Sequence, residues 1–213
     1  SPSRGETYND APELGDARMC GTTASLCGLE SGNKEMAIRL DVMLHAFLLT
    51  QSGIPVIYSG DEIGQLNDYS YHNSPDPDKA ADSRYVHRGA FHWENAAKRN
   101  DLTTPEGKIF DAVHKLGKLR DTQEVFSNSA DTWLVDTNND HVLGIGRYYG
   151  EKSKKEKMLA FFNFSDEAQV ITTSENLSGI FKYSDMITGR KFTSSTGEIK
   201  LEAYGFLWLL AEL

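Results

Sequence analysis

The sequence predicts an α/β segment over residues 1–123, followed by an all-β domain over 124–213. Three observations predict it. Apolar residues recur at helical spacing over 33–51 and 104–121. One short apolar run lies between them, so helix, strand, long loop and helix follow in order, as at the end of a β/α repeat series. Beyond Glu124 the pattern changes to period two, in short runs separated by polar turns.

Residues 1–15 are polar, with Pro2, Pro12 and two glycines, and read as irregular. Residues 22–30 predict a short helix ended by Ser31-Gly32. Asn33 is the expected N-cap of the next helix, with Glu35 in its first turn. Met36, Leu40, Met43, Leu44, Phe47 and Leu48 form its apolar face, and Gly53 stops it. The run 54–58, Ile-Pro-Val-Ile-Tyr, is rich in β-branched and aromatic residues and predicts a buried strand. Pro55 fits only near its start. The run breaks into Ser59-Gly60-Asp61-Glu62. In parallel α/β architectures the carboxyl end of a buried strand is where sites are built. No helical pattern returns until Thr104. A connection of roughly forty residues far exceeds the usual ~4–6, so it is functional, disordered or both.

Pro105 sits in the first turn of the helix 104–121, where its missing N–H costs nothing. Ile109, Val113, Leu116 and Leu119 make its buried face. The expected strands are 132–136, 141–149, 157–164, 168–172, 181–185, 197–201 and 205–210. Asn138-Asn139-Asp140 is a turn. Such short, closely spaced strands predict an antiparallel sandwich. The charged run 152–157 reads as an exposed hairpin loop.

Composition narrows the function classes. Hydrophobic residues make up 39% and charged residues 25%, an ordinary globular balance. Acidic residues outnumber basic ones 31 to 22, a formal charge of −9. That disfavours a phosphate-binding surface, so nucleic acid is not an expected partner. No apolar stretch approaches the ~18 residues needed to span a bilayer, so no membrane partner is expected. Cys20 and Cys27 are too few and too close for a disulfide framework and read as buried small hydrophobes in a reducing compartment. No signal peptide precedes them, and the expected location is cytoplasmic. The chain begins at Ser1 and not at Met, which reads as a boundary or a cleavage point.

Several motifs fail on inspection. Asp76, Asp78 and Asp82 hint at calcium, but an EF-hand needs Gly and Glu where Ala81 and His87 stand. His72, His87 and His92 lack zinc spacing. Gly144-x-Gly146 lies inside a strand pattern, without the third Gly and following helix of a dinucleotide loop. There is no Gly-x-Ser-x-Gly elbow. Asn163-Phe-Ser165 and Asn176-Leu-Ser178 read as chance matches to the glycosylation acceptor. No metal or organic cofactor is expected.

Asp61 and Glu62 are adjacent, and neighbouring strand residues point to opposite sides. A paired acid and base across one substrate is then awkward. They read as groups that hydrogen-bond loop backbone and support the strand end. By spacing alone, Asp82 and Arg84 are a surface salt bridge of little worth. Arg18 reads as a solvent-exposed arginine ahead of a helix. Tyr69, Tyr71, Phe91 and Trp93 place aromatics on the long connection, where rings either hold sugar faces or cover apolar surface.

Three sets of residues carry a family resemblance. Gly53-Ile-Pro55-x-Ile-Tyr58-x-Gly60-Asp61-Glu62-Ile-Gly64 resembles the eighth-strand motif of glycoside hydrolase family 13, the α-amylase superfamily. Leu66-Asn67-Asp68 with Asp82-Ser83-Arg84-Tyr85-Val86-His87-Arg88 is similar to the amylosucrases, which transfer glucose from sucrose. Gly15-Asp16-Ala17-Arg18-Met19-Cys20-Gly21-Thr22 resembles the segment after the seventh barrel strand of the same enzymes. The resemblance implies the last segments of a TIM (β/α)8 barrel followed by the sandwich. It implies retaining chemistry with two carboxylates, a covalent glucosyl-enzyme and no organic cofactor. The family's catalytic carboxylates lie on earlier strands, so no catalytic residue is expected in this chain, and the chain alone should be inactive. Arg84 would pair with an acidic residue at the bottom of the glucose subsite. Arg18 would reach the fructose or acceptor side. Asp82, which could pair with Arg84, would join Arg84 and Arg18 in binding substrate, and Asp61, Glu62 and Asp68 would support the site. The partners implied are sucrose or an α-glucan, with the rest of the enzyme. Sibling readings are a sucrose hydrolase, an α-amylase or a trehalose-forming enzyme. A different class, a non-catalytic carbohydrate-binding module, would account for the strands but not for the 53–88 stretch. An incomplete barrel should self-associate, leave 65–103 poorly ordered, or belong to a longer polypeptide.

Overall fold

The computed structural model describes residues 4–11, 16–30, 32–151, 154–172, 182–193 and 197–212, with backbone only for 9–11, 16, 17, 151 and 154. Gly15, Ser31, Phe181, residues 152–153 of the charged run and Asn176-Leu-Ser178 lie outside these. The chain forms two compact units: Ser1–Asp41 with Val56–Val113, and Val42–Pro55 with His114–Leu213. All strand pairs among the described residues are antiparallel.

In the first unit, β1 (Glu6–Ala11) pairs with β2 (Asp16–Cys20), placing Tyr8 opposite Arg18. This corrects the irregular reading of residues 1–15. Glu6-Thr7-Tyr8 is too short to show period two, and its strand character comes from its partner. α1 (Thr23–Leu26) is capped by Thr22, whose hydroxyl accepts from the Ser25 amide at 3.3 Å. α2 (Lys34–Thr50) starts as predicted, with Asn33 Oδ1 accepting from the Met36 amide at 3.3 Å. Its burial is wider than the predicted stripe. Ala37, Ile38, Asp41, Met43, Ala46 and Leu49 are buried, while Met36, Leu40, Leu44, Phe47 and Leu48 are only half-buried.

The predicted buried strand 54–58 is neither a strand nor buried: Ile54 is 89%, Val56 75% and Tyr58 50% exposed. A buried parallel strand needs a hydrogen-bonded neighbour on each edge. The described residues supply none.

The long connection is folded. It contains tight 3-10 turns at Asp61–Ile63, Tyr69–Asn73 and Ser83–His87, with α3 (Pro77–Ala81) and α4 (Trp93–Ala96). Aspartates start three of these pieces: Asp68 accepts from the Ser70 amide at 2.9 Å, Asp76 from Asp78 at 3.0 Å and Asp82 from Arg84 at 3.0 Å. Of the three aspartates of the calcium hint, Asp76 and Asp82 are thus engaged as local caps. α5 (Pro105–Thr122) then begins, with Thr104 Oγ1 accepting from the Gly107 amide at 3.1 Å.

The second unit holds β3 (Asp131–Val135), β4 (Val142–Glu151), β5 (Lys154–Asn163), β6 (Gln169–Thr172), β7 (Lys182–Asp185), β8 (Lys191–Thr193), β9 (Glu198–Leu201) and β10 (Phe206–Glu212). The main sheet has the order β3-β4-β5-β10-β7-β8, and β6-β9 form a small second sheet. Val142, Leu159, Phe161, Tyr183, Phe192 and Leu209 from the main sheet share one core with Ile171, Ile199 and Leu201 from the small one. This is the predicted sandwich, built unequally. β8, three residues long, was beyond the reach of a periodicity argument.

Two arginines tie this unit together. Arg147 is fully buried and donates to Val125 O at 2.7 Å, Thr50 O at 3.0 Å, Ser52 Oγ at 3.1 Å, Thr132 Oγ1 at 3.2 Å and Ser127 O at 2.9 Å. Arg120 donates to Leu49 O, to Gln51 O at 3.1 Å and to Gly53 O at 2.8 Å. Both cations sit where the last carbonyls of α2 carry partial negative charge. Cys20 and Cys27 are free and buried, as expected. No helix among the described residues is long and apolar enough to cross a membrane.

Candidate functional site

The site is built on the turn Ser83–His87 and the hairpin β1–β2, both in the first unit. Asp82 caps the turn and also grips the side chain of Arg84. Arg84 Nε lies 2.9 and 3.0 Å from the two carboxyl oxygens, and Nη2 lies 2.7 Å from Oδ2. Such a forked pair fixes the plane of the guanidinium. The Arg84 guanidinium, bonded to its side chain, is the main reason the Asp82 carboxyl falls to about 2. The same contact pushes Arg84 above its ordinary value. Arg84 Nη1 makes no hydrogen bond to the described residues, which leaves donors for a ligand.

The structure brings the two predicted arginines together on one ring. Arg84 Cζ lies 4.9 Å from the centroid of Tyr8, and Arg18 Cζ lies 5.7 Å from it. Tyr8 and Tyr85 pack against a buried cluster of Cys20, Tyr71 and Val86. Tyr71 donates its hydroxyl to Glu6, and His72 Nε2 lies 2.8 Å from the other Glu6 oxygen. Burial works to raise the pKa of Glu6, but these two hydrogen bonds outweigh it and hold the carboxyl below its usual range. Burial, with Glu6 beside it, pushes the Tyr71 phenol up.

Asp68 is held by Ser70, whose side-chain and backbone hydrogen bonds lower its pKa. Its own amide donates to Val86 O at 2.8 Å. Asn67 Oδ1 accepts from the Thr22 amide at 2.7 Å, and Asn67 Nδ2 donates to Arg4 O at 3.1 Å and Tyr69 Oη at 3.0 Å. Asp68, Tyr71, Lys79, Tyr85 and Arg88 help line a cavity of about 190 Å³. Lys79 Nζ and Arg88 Cζ lie 5.2 and 5.7 Å from the Tyr85 centroid.

Asp61 and Glu62 lie on a tight turn and not at a strand end. Glu62 Oε2 accepts from the Gly60 amide at 2.8 Å, the backbone-supporting role expected of it. Gly60, at φ 100°, opens the turn in a conformation that disfavours other residues. His87 sits edge-on to Tyr58, with centroids 5.8 Å apart, and burial keeps its imidazole below its usual pKa. Of the four aromatics singled out, Tyr71 is buried, whereas Trp93 is 76% exposed beside Phe91, with ring centroids 4.8 Å apart.

Arg18, Arg84 and Asp82, singled out from the sequence, lie here with Tyr8, Tyr85 and Glu6, which the sequence did not single out. The latter three gain meaning only when the hairpin and the turn meet. The one signal available was that Tyr8 lies in the polar stretch 1–15, only ten residues before Arg18.

No protein-family model matches the chain. Among curated proteins it is similar to the glucosylglycerate phosphorylase of Escherichia coli K12, at 25% identity over 181 residues, 84% of this chain and 29% of that protein. Among solved structures it matches AmyP in complex with maltose, with a TM-score of 0.65 and 16% identity over 88% of this chain and 38% of that one. It also matches the trehalulose synthase MutB of Pseudomonas mesoacidophila MX-45, with a TM-score of 0.59 and 16% identity over 82% and 38%. The chain thus spans less than half the length of each of these proteins. The structures it resembles are enzymes of the α-amylase superfamily, glycoside hydrolases and transferases. At these identities the likeness is one of fold, and the chain has the fold of a segment of such enzymes.

Proposed function

We propose that the chain is the carboxyl-terminal portion of a retaining α-glucosyl-transferring enzyme of the α-amylase superfamily, of the amylosucrase type, using sucrose. Residues 1–123 would complete a catalytic barrel and 124–213 would form the sheet domain beside it. The observation that carries this reading is the forked Asp82–Arg84 pair, set on a capped turn with donors left over. A guanidinium held in one plane can read the hydroxyls of a single hexose. Arg18, near the same ring, supports a second sugar position next to it. The chain supplies binding groups, and the two reacting carboxylates would come from the rest of the polypeptide. Free, buried Cys20 and Cys27 support a reducing, cytoplasmic setting.

The test is to incubate the longer polypeptide carrying this chain with sucrose and to measure fructose, glucose and α-glucan. Fructose release with glucan formation is expected, and intact sucrose would sink the reading. A parallel incubation with inorganic phosphate addresses a sibling reading favoured by the curated relative, in which phosphate accepts the glucosyl group. The isolated chain should show no turnover until mixed with the amino-terminal part. Turnover by the chain alone would refute its assignment as a binding portion. Glucan binding by the chain alone, with no rescue on mixing, would favour a non-catalytic carbohydrate-binding module.

A further inference from the structure

The reading above places Arg18 near this ring but gives the ring itself no role. Tyr8 lies on β1 directly opposite Arg18 and packs against Cys20, Tyr71 and Val86, so the ring is anchored. Both guanidinium carbons, at 4.9 and 5.7 Å, lie inside the ~6 Å at which the ring's negative face attracts a cation. Two cations repel each other. Here one fixed ring holds both, and Asp82 takes up much of the charge of Arg84.

The geometry points to Tyr8 as a positioning residue that locks Arg84, on the glucose side, and Arg18, on the acceptor side, into one unit, and so sets how often the glucosyl group goes to a sugar and how often to water. The functional half of this inference rests on the sucrose-transfer reading, and the positioning half on geometry alone. In both outcomes the bond from the anomeric carbon to the enzyme carboxylate breaks. A bond to the incoming oxygen forms, and its proton passes to the carboxylate that first acted as acid. Only the identity of the incoming hydroxyl differs. An Arg18 that has lost the ring contact would hold an acceptor sugar less often and leave the position to water.

The experiment uses the full polypeptide with Tyr8→Phe and Tyr8→Leu. The rates at which phenylglyoxal modifies Arg18 and Arg84 are followed by mass spectrometry, beside the ratio of free glucose to glucan formed from sucrose. Tyr8→Phe keeps the ring and should match the parent in both. Tyr8→Leu should raise both modification rates about three- to tenfold, the scale of a lost cation–π contact, and raise the glucose share. Unchanged rates for both arginines, or a rise for one alone, would overturn the coupling. Raised rates in a protein whose parent leaves sucrose intact would uphold the positioning and reject the sucrose reading. Tyr8→Met, similar in volume without a ring, replaces Tyr8→Leu if that variant does not fold, under the same criteria.

Discussion

Asp82 and Arg84 are two residues apart, so their pairing needs only a tight turn. It was legible in the sequence as a salt bridge. Its value for a site lies in geometry, since Arg84 remains 43% exposed on its side chain. Arg84→Ala in the full enzyme should therefore leave the fold intact, because exposed pairs stabilise little. Under the proposed sucrose transfer, turnover should fall by about ten- to a hundredfold, the loss of one charge-assisted hydrogen-bonding group. Near-normal kcat/KM would remove Arg84 from the glucose subsite. The depressed Asp82 carboxyl has a sign. The unfolded carboxyl protonates near its ordinary value of 3.8, the folded one at about 2. The pair's contribution is complete above the first value, fades between the two, and is gone below the second. A carboxyl carbon NMR titration of Asp82 should show a midpoint near 2, and a midpoint near 3.8 would mean that the pair is absent in solution. Arg147 is the opposite case: nothing in its sequence context marks it as buried. Burial pushes its guanidinium below the ordinary value, yet arginine stays charged in proteins. Arg147→Met would strip partners from several buried oxygens and should cost at least about 3 kcal/mol in urea unfolding. Arg147→Lys should recover only part, because an ammonium cannot reproduce the fork.

At the scale of elements, caps and periods were readable because they are local. Asn33, Pro105 and the period-two runs placed α2, α5 and seven of the eight strands of the second unit within a few residues. The Gly144-x-Gly146 pair has its explanation here. Gly146 stands opposite Trp133 in the β3–β4 ladder, and a Cβ there would run into the indole. The glycine is a seat for the tryptophan ring, a known way to stabilise glycine in sheets. Gly146→Ala should displace the ring, destabilise the unit by about 1–3 kcal/mol and shift tryptophan emission. An unchanged melting temperature and spectrum would show that the ring does not need that seat. Element identity is not legible where it depends on a partner: β1 is invisible without β2, and the run 54–58 has strand composition but cannot form a strand unpaired.

At the scale of the whole molecule, the exposed run Ile54-Pro-Val-Ile-Tyr58 is an anomaly for a chain otherwise ordinary in composition. Extended, apolar and unpaired backbone is a template for association. The isolated chain should therefore self-associate in light scattering. Val56→Lys should return it toward a monomer without changing its circular dichroism. A parent chain that is monodisperse and monomeric would show that this run is tolerated in water. This chain spans 29% of the length of the curated relative and 38% of the AmyP and MutB chains named above.

The sequence by itself determined α1, α2 and α5, the Asn33 cap, the run of antiparallel strands and the Asp82–Arg84 pair, because each depends on residues within a few positions of one another. Only the tertiary structure decided that β10 lies between β5 and β7, that Arg147 is buried among carbonyls from positions as distant as Thr50, and that Arg18 and Arg84 both reach the ring of Tyr8. Those outcomes depend on which surfaces meet and exclude water. Contacts across tens of residues are set by the packing of whole elements, and local pattern carries no record of them.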